Sequence, residues 1–355
     1  MTKRVVERIL DLARWAPSGD NTQPWRFEIL ADDHVVIHGF DTRERCLYDF
    51  DGHPSQIALG ALIENIAIAA RSLGREATTT RRGDAPETQP RFDVRLRDAP
   101  GSGNAPLAGF IEARSVQRRP LRTRPLTPAE KSAIETAAGP DHRLRWFEGF
   151  PARRSIAWLL FHNAKLRLTA PEAYAVHRDV IAWHSAFSDD RVPDGAIGLD
   201  PMTTRLMAWV MRSWRRVAFF NRYLAGTLVP RIELDLVPGL ACAAHFLIVA
   251  RTPPANIDDF VAAGRAMQRA WLTATSLGLQ LQPEMTPLIF AMYVRAGRHF
   301  SSEIALWQRA CELALRFERL AGPDAAAAVF MGRLGEGPAP RARSLRLPLA
   351  DLMVR

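Results

Sequence analysis

Hydrophobic positions near the start of the chain recur every three or four residues, which predicts an amphipathic helix over residues 3–15. Short apolar runs follow and predict strands at Trp25–Leu30 and His34–His38. An almost wholly apolar stretch then predicts a helix buried on most sides at about 55–73. Alternation of apolar and charged residues over 92–96 is the period of a half-buried strand.

The stretch Gly60–Gly74 resembles a second stretch, Gly264–Gly278. Both run from Gly to Gly over the same spacing, both are almost entirely apolar, and both end in Ser-Leu-Gly, where the last glycine suits a left-handed helix cap. The match predicts an internal duplication. The remaining pattern predicts helices at 127–138 (opened by the capping box Thr127-Pro-Ala-Glu130), 151–169, 172–186, 201–225 and 301–320, strands at Phe246–Ala250 and Ala328–Leu334, a turn-rich linker at 98–106, and an extended basic tail from Pro338.

Composition places the 355-residue chain among soluble globular proteins, with 47% hydrophobic and 24% charged residues. The length allows one large domain or two of ordinary size. No apolar run is long enough for a membrane span, and the N-terminus lacks the apolar core of a secretion signal. Three widely separated cysteines disfavour both a disulfide framework and a zinc cluster. We therefore expect a cytoplasmic protein without a transmembrane segment.

The net charge of +9 favours anionic ligands, nucleic acid or a membrane surface. Only three of the 47 basic residues are lysines, a bias that we attribute in part to genome composition. No nucleic-acid recognition motif is present, and neither a dinucleotide-binding glycine pattern nor a phosphate-binding loop occurs. His177 and His184 lack matched carboxylate or cysteine partners. We accordingly expect neither nucleic acid nor a metal as a partner.

The segment Ala16–Trp25, which reads Ala-Pro-Ser-Gly-Asp-Asn-Thr-Gln-Pro-Trp, carries the clearest chemistry. Its small polar residues directly follow a helix, where free backbone N–H groups and hydroxyls can hold an anion or a heterocycle. The alternative is an ordinary loop that joins the helix to the next strand, with Trp25 as a plug in the core.

This segment resembles the FMN-dependent nitroreductase superfamily, in which a helix ending in Ala-Pro-Ser is followed by Asn-x-Gln-Pro-Trp and a strand. A second likeness is Arg114-Ser115-x-x-Arg118, which is similar to the Arg-Ser arm that opens nitroreductase chains. With the duplication and the Gly332-Arg-Leu-Gly335 strand, the chain looks most like Acg-type FMN-binding oxidoreductases, in which one chain contains two nitroreductase-like halves. The resemblance implies an α+β fold of mostly antiparallel sheets flanked by helices, duplicated as an intrachain pseudo-dimer.

On this resemblance, residues 1–108 form the first half and 109–355 the second, with an insertion at 172–237. The first half has the Asn-x-Gln-Pro-Trp loop but no arm, and the second has the arm and tail but no such loop. One complete FMN site is therefore expected in each monomeric chain, or in each subunit of a homodimer. The implied cofactor-binding residues are Pro17, Ser18, Gly19 and Asn21 of the loop, Arg114, Ser115, Arg118 and Arg119 of the arm, Pro283, Glu284 and Met285 near flavin N5, and Arg341, Arg343 and Arg346 of the tail.

Alternatives accompany several of these assignments. Gln23 and Trp25 are expected to order the loop rather than to contact flavin. For the tail arginines, the alternative is that at least one of the three belongs to a solvated basic extension. For Gln282–Met285 the alternative is an ordinary turn, since the stretch lacks the glycine of the family's Pro-x-Glu-Gly. That departure puts the N5 contact in doubt.

The resemblance implies an FMN-dependent oxidoreductase that transfers two electrons to or from a small organic substrate at flavin N5, with NAD(P)H as a candidate donor. No protein side chain need act as a catalytic nucleophile. The alternative is a low-turnover FMN-binding or storage protein under a closed lid. The insertion, rich in aromatic and Arg residues over 206–220, is interpreted as that lid, as a helix resting on lipid, or as a helix packed on the body.

Overall fold

The computed structural model describes residues 4–99, 103 and 105–354. Two 20-residue helices at its centre correspond to the two apolar stretches of the repeat. The second begins earlier than the apolar pattern indicates, because Asn256 and Asp259 form a capping box. The helices are α1 (Val5–Ala13), α2 (His53–Ser72), α3 (Pro128–Ala138), α4 (Gly149–Thr169), α5 (Pro171–Val180), α6 (Pro201–Val210), α7 (Trp214–Tyr223), α8 (Leu228–Arg231), α9 (Val237–Leu240), α10 (Ile257–Ser276), α11 (Thr286–Arg295) and α12 (Ile304–Ala321).

Two four-stranded sheets give the chain an α+β architecture, and every strand pair within them is antiparallel. One sheet has the order β1-β2-β4-β3 and the other β10-β11-β9-β5. The predicted duplicated arrangement is thus present as two sheets, each accompanied by one long helix. The strands are β1 (Trp25–Ala31), β2 (His34–Gly39), β3 (Arg75–Arg81), β4 (Arg91–Asp98), β5 (His142–Glu148), β6 (Ile181–Ala182), β7 (Phe187–Ser188), β8 (Val192–Pro193), β9 (Ala244–Ala250), β10 (Leu279–Pro283), β11 (Ala328–Glu336) and β12 (Arg343–Ser344).

The two long helices cross at the first glycines of the repeat. A Cβ added to Gly60 would lie 2.1 Å from the carbonyl oxygen of Val261, and one added to Gly264 would lie 2.0 Å from that of Ile57. Only glycine permits such an approach of two backbones. The repeat therefore marks the contact between its own two copies.

The C-terminal tail crosses from the second sheet to the first. A bridge joins Met353 to Phe27 of β1, and the Val354 N–H donates to the Phe27 carbonyl at 2.8 Å. Residues predicted to belong to the second half thus pack on the first. The crossing places the arginines of the tail beside the loop that follows α1.

The prediction of a single long helix over 201–225 is wrong, because the structure has α6 and α7 with a break at 211–213. The two helices fold back on each other, and the rings of Trp209 and Phe220 lie 6.0 Å apart. This packing buries apolar surface that one straight helix would expose. The helix predicted at 172–186 also ends early, at Val180, where a short strand begins.

Within the described residues, no helix is both long enough and apolar enough to cross a bilayer. The predicted linker at 98–106 lies partly outside the described residues, which omit 100–102 and 104.

Candidate functional site

A small polar cleft of about 60 Å³ lies where three distant parts of the chain meet. These parts are the loop after α1, the segment before α3, and the C-terminal tail, and residues of the insertion close the fourth side. The wall consists of Pro17, Ser18, Asp20, Asn21, Arg114, Ser115, Val116, Arg118, Val192, Ala196, Arg343, Ser344 and Arg346.

The loop after α1 has an unusual backbone. Asp20, Asn21 and Gln23 have φ values of 51°, 61° and 47°, in the left-handed region that side chains other than Asn and Asp seldom adopt. The Ser18 hydroxyl accepts a hydrogen bond from the Gln23 N–H at 3.0 Å, and Gln23 Oε1 accepts one from the Leu347 N–H at 2.9 Å. Gln23 therefore orders the loop and ties it to the tail.

Four arginines converge on the cleft from the arm and the tail. Their guanidinium groups donate to backbone carbonyl oxygens: Arg114 to Trp15 at 3.0 Å, Arg118 to Ala196 at 3.0 Å, Arg346 to Ala16 at 2.9 Å, and Arg343 to Arg114 at 3.3 Å. Two guanidinium nitrogens, Nε of Arg114 and Nε of Arg343, are buried without a hydrogen-bond partner. These carbonyls hold the arginines in place but carry no full negative charge, and among the described residues the wall has one carboxylate, Asp20, whose charge acts on Arg118.

The electrostatics of the cleft favour an anion. Burial lowers the pKa of Arg114 well below its usual value, and the neighbouring charges of Arg346 and Arg343 lower it further. Burial and the charges of Arg343 and Arg14 lower the pKa of Arg346 to about 9. Burial also lowers the pKa of Arg118 to about 10, against the opposing effect of Asp20. A bound dianion would relieve the mutual repulsion of these buried cations.

The cleft fits one part of FMN and not the whole. A phosphate would meet Arg forks and the unpartnered Nε atoms, which are the donors that such a group requires. The volume of about 60 Å³ is far below the roughly 300–1,000 Å³ of small-molecule pockets. The flavin ring therefore needs space beyond this cleft.

The insertion contacts the predicted flavin loop through backbone carbonyls. Asn21 Nδ2 and Gln23 Nε2 both donate to the Asp189 carbonyl, at 3.0 and 2.8 Å, and Arg118 donates to Ala196. The buried Asn21 Oδ1 has no partner. Part of the predicted lid thus lies directly on the loop and the arm.

Several predicted residues lie elsewhere. Gly19, Arg119 and Arg341 are exposed and do not line the cleft. Pro283, Glu284 and Met285 lie outside its wall, and the Glu284 N–H donates to the Met331 carbonyl at 2.8 Å. One of the backbone N–H groups expected near flavin N5 is therefore engaged with β11 in this arrangement.

The Glu284 side chain belongs to a separate buried cluster. Its carboxylate accepts from His245 Nδ1 at 2.6 Å and from Arg333 at 3.0 Å, while His245 Nε2 lies 2.8 Å from the Gly239 carbonyl. Although burial opposes it, the Glu284 carboxylate raises the pKa of His245 to about 10. Arg333 also donates to the Arg118 carbonyl at 2.8 Å, so this cluster braces the arm from behind.

Sequence reasoning missed five residues of the cleft wall, which are Asp20, Val116, Val192, Ala196 and Ser344. Asp20 lies in the wall between two predicted residues, and burial raises the pKa of its carboxyl group. Its position inside the loop motif was a usable signal. Val192 and Ala196 come from the insertion, and nothing in the sequence marks them, because small apolar residues have no distinctive spacing.

Comparison with known proteins relates the chain to one family. Residues 1–47 match the model of the nitroreductase family. A Mycobacterium tuberculosis protein, the uncharacterized protein MT1398, is 26% identical over 302 residues, which cover 82% of this chain and 40% of that protein. Acg of the same species, described as a candidate NAD(P)H nitroreductase, is 28% identical over 145 residues, which cover 40% of this chain and 43% of acg. The chain thus spans about two fifths of the length of these curated relatives.

Two solved structures show more distant likeness. One is the FMN-dependent nitroreductase NfnB from Mycobacterium smegmatis in complex with NADPH, with 14% identity and a TM-score of 0.38, covering 70% of this chain and 96% of that chain. The other is a nitroreductase-like family protein from Bacillus cereus, with 12% identity and a TM-score of 0.35, covering 70% and 95%.

Proposed function

We propose that this chain, a relative of the nitroreductases as its motifs predicted, binds FMN at the arginine-lined cleft and acts as an oxidoreductase on a small organic molecule. The observation that carries the proposal is the convergence of Arg114, Arg118, Arg343 and Arg346 around unpartnered guanidinium nitrogens. These residues come from segments more than 200 positions apart in the sequence, and they meet beside the Asn-x-Gln-Pro-Trp loop.

In this proposal the arginines hold the FMN phosphate, and Ser115 adds a hydroxyl donor. Pro17, Ser18 and Asn21 lie at the opposite wall, where they can contact the remainder of the cofactor. Arg333 positions the arm by donating to the Arg118 carbonyl. Bound FMN supplies two-electron chemistry by exchanging hydride at N5. The side chains of the cleft bind, orient and exclude water, and none is required as a nucleophile.

The proposal names an electron donor and two classes of organic partner. A nicotinamide nucleotide is the candidate donor, because the relative acg is described as an NAD(P)H nitroreductase and NfnB was solved with NADPH. The organic partner is a nitroaromatic or quinone to be reduced, or an amine or heterocycle to be dehydrogenated. Domain boundaries at 108/109 and the lid at 172–237 remain part of the proposal.

A second function, FMN storage with little turnover, is favoured by the closure of the cleft. The carbonyls of Asp189 and Ala196 occupy the donors of Asn21 and Arg118, and the enclosed volume is small. A cover held in this way would slow the access of substrates to bound flavin.

Absorption spectroscopy and anaerobic reduction separate these functions. Flavin bands in the purified protein support FMN binding, and their absence after reconstitution with FMN would contradict both functions. Bleaching by NADPH or NADH within the turnover time supports the oxidoreductase. Bleaching by dithionite but by neither nucleotide supports storage, or an enzyme with another donor.

A further inference from the structure

A second cavity, distinct from the arginine cleft, lies within the insertion. Its volume is about 490 Å³, which is the size of a small-molecule pocket. α6 and α7 each supply more of its wall than any other helix, and α5, α8, the end of α4 and the segments between these helices complete it. Apolar side chains predominate in the lining and include Leu206, Met207, Val210, Met211, Val217 and Phe220.

The ionised side chains of this wall have partners within the protein. Arg167 forms an ion pair with Asp235 at 2.9 Å. Among the described residues no cation pairs with Asp200 or Glu233, but their carboxylate oxygens accept hydrogen bonds: Asp200 caps α6 by accepting from the Met202 N–H at 2.8 Å, and Glu233 accepts from the Asp200 N–H at 3.0 Å. An anionic ligand group would therefore lose its hydration and gain no free cation, and a cationic group would meet carboxylate oxygens that already accept hydrogen bonds.

The neutral polar groups of the wall are occupied in the same way. Burial, followed by the nearby charge of Arg167, lowers the pKa of His177 to about 3, so its ring is neutral at physiological pH. Its Nε2 lies 3.0 Å from the Tyr48 hydroxyl. Asn221 donates to the Leu168 carbonyl at 2.9 Å, and the Tyr174 hydroxyl donates to the Met211 carbonyl at 3.0 Å.

We propose that this cavity is a binding site for an uncharged lipophilic molecule, held by burial of its apolar surface against α6 and α7. Methionines at 202, 207 and 211 suit such a ligand, because their unbranched side chains adapt to its shape. Arg167 of the wall interacts electrostatically with both Asp20 and Arg118 of the cleft. The lipophilic site is therefore a neighbour of the cleft, although the proposal does not depend on FMN being bound there.

Binding of Nile red, an uncharged lipophilic dye, tests the proposal through matched variants of the full chain. Val217 is buried in the wall, and Val217→Trp fills the cavity. Met202 lines its mouth and is 78% exposed, so Met202→Asp introduces a charge there with little risk to folding. Phe219→Asp makes a comparable change at a residue that is 53% exposed on α7 but lies outside the wall.

We expect one dye per chain and an affinity about tenfold or more weaker in Val217→Trp, because the indole occupies the space in which the dye buries its apolar surface. Met202→Asp should also weaken binding clearly, because its carboxylate would lose hydration against the bound dye. Phe219→Asp should leave the affinity within about twofold, since surface changes away from a site have small effects. Unchanged affinity in Met202→Asp would overturn the proposal even if Val217→Trp failed to fold. Loss confined to Phe219→Asp would place the dye on the exposed aromatic surface instead, and would also overturn it. Flavin spectra of the same variants show separately whether the FMN site persists.

Discussion

Two buried arginines, Arg114 and Arg333, are each only 2% exposed, yet their surroundings differ in one decisive respect. Arg333 has the Glu284 carboxylate at 3.0 Å, and that carboxylate also meets His245. Arg114 has no carboxylate beside it among the described residues, but the Trp15 carbonyl, the Trp271 ring centroid 4.6 Å from its guanidinium carbon, and two further arginines close enough to lower its pKa. A buried Nε without a hydrogen-bond partner is common to both arginines. Burying a charge without a counter-charge is costly. Arg333 is thus part of the scaffold, and Arg114 is suited to a ligand that brings negative charge.

The same contrast applies to the two cavities. The arginine cleft is small and polar, and arginines outnumber carboxylates in its wall. The cavity of the insertion is about 490 Å³ and largely apolar, and the polar side chains discussed above for its wall have partners within the protein. The large cavity volume and the concentrated positive charge therefore come from different parts of the chain. The cleft is assembled from the loop, the arm and the tail, and the apolar cavity comes from one continuous insertion with its flanking helices.

The largest expected effect is on the scaffold arginine. Arg333→Ala removes one of the two cations that contact the buried Glu284 carboxylate and leaves His245 as the other. We expect the free energy of unfolding to fall by about 3–5 kcal/mol, as for a buried ion pair that loses one partner. Chemical denaturation without FMN measures this. Arg143→Ala is the control, because the side chain of Arg143 is 60% exposed beside Asp324. An Arg333 variant as stable as its control would contradict the assignment of Arg333 to the scaffold.

Arg114→Ala should behave in the opposite way. Losing a charged hydrogen bond to phosphate should weaken FMN binding by about 1.5–3 kcal/mol, and Arg118→Ala should do the same. Without FMN, Arg114→Ala should lose much less stability than Arg333→Ala, because it removes an uncompensated charge. Fluorescence titration with FMN and denaturation measure the two effects. Arg122→Ala, whose side chain is 79% exposed near the same arm, serves as the control.

If both arginine variants retained FMN as tightly as Arg122→Ala, the phosphate would have to be bound elsewhere. Such a result would remove the arm from the site while leaving the scaffold role of Arg333 intact. The two mutations therefore test the two sides of the comparison independently.

The dependence of stability on pH tests the ion pair between His245 and Glu284 beside Arg333. The pKa of His245 is raised to about 10 in the folded protein, so its stabilising pair with Glu284 is fully present below the unfolded pKa of about 6.5 and is lost as pH rises through about 10. The wild-type protein should therefore lose stability between these values, and His245→Gln should show a shallower decline. Equal slopes for the two proteins in denaturation across this range would contradict the ionised pair.

Inorganic phosphate should produce the smallest effect. An anion that binds only the folded cleft raises the apparent stability, by about 1.4 kcal/mol when its concentration is tenfold above its dissociation constant. Phosphate should raise the melting temperature relative to chloride at equal ionic strength, and Arg114→Ala should reduce this increase. An identical phosphate response in wild type and variant would assign it to general salt effects.

The sequence alone predicted much of the fold, for identifiable physical reasons. Periodicity located β1, β2 and the buried α2, and the terminal glycines 74 and 278 do have positive φ values of 70° and 76°. The break between α6 and α7 escaped prediction because the apolar pattern continues through it. The contacts that favour two helices are tertiary: Trp209 packs on Phe220, and the Tyr174 hydroxyl donates to the Met211 carbonyl at the break at 3.0 Å.

In the candidate site, the residues that lie in short sequence motifs were predicted, and most of the others were not. The loop residues and Arg114 came from short patterns whose meaning depends on a family resemblance. Which tail arginine reaches the cleft depends on the path of the tail, and the structure brings Arg343 and Arg346 there but leaves Arg341 exposed. The covering carbonyls of Asp189 and Ala196 could not be predicted, because backbone groups carry no sequence signal.

We propose that two diverged halves of the chain build one FMN site from complementary parts. A symmetric dimer repeats each contact and yields two equal sites, but the halves of a single chain are under no such constraint. The loop at 17–25 occurs only in the first half and the arm at 114–118 only in the second. Acid-released flavin, counted against the protein concentration after reconstitution with FMN, tests the claim directly. We predict about one FMN per chain in any oligomeric state, and a reproducible ratio near two would contradict the account.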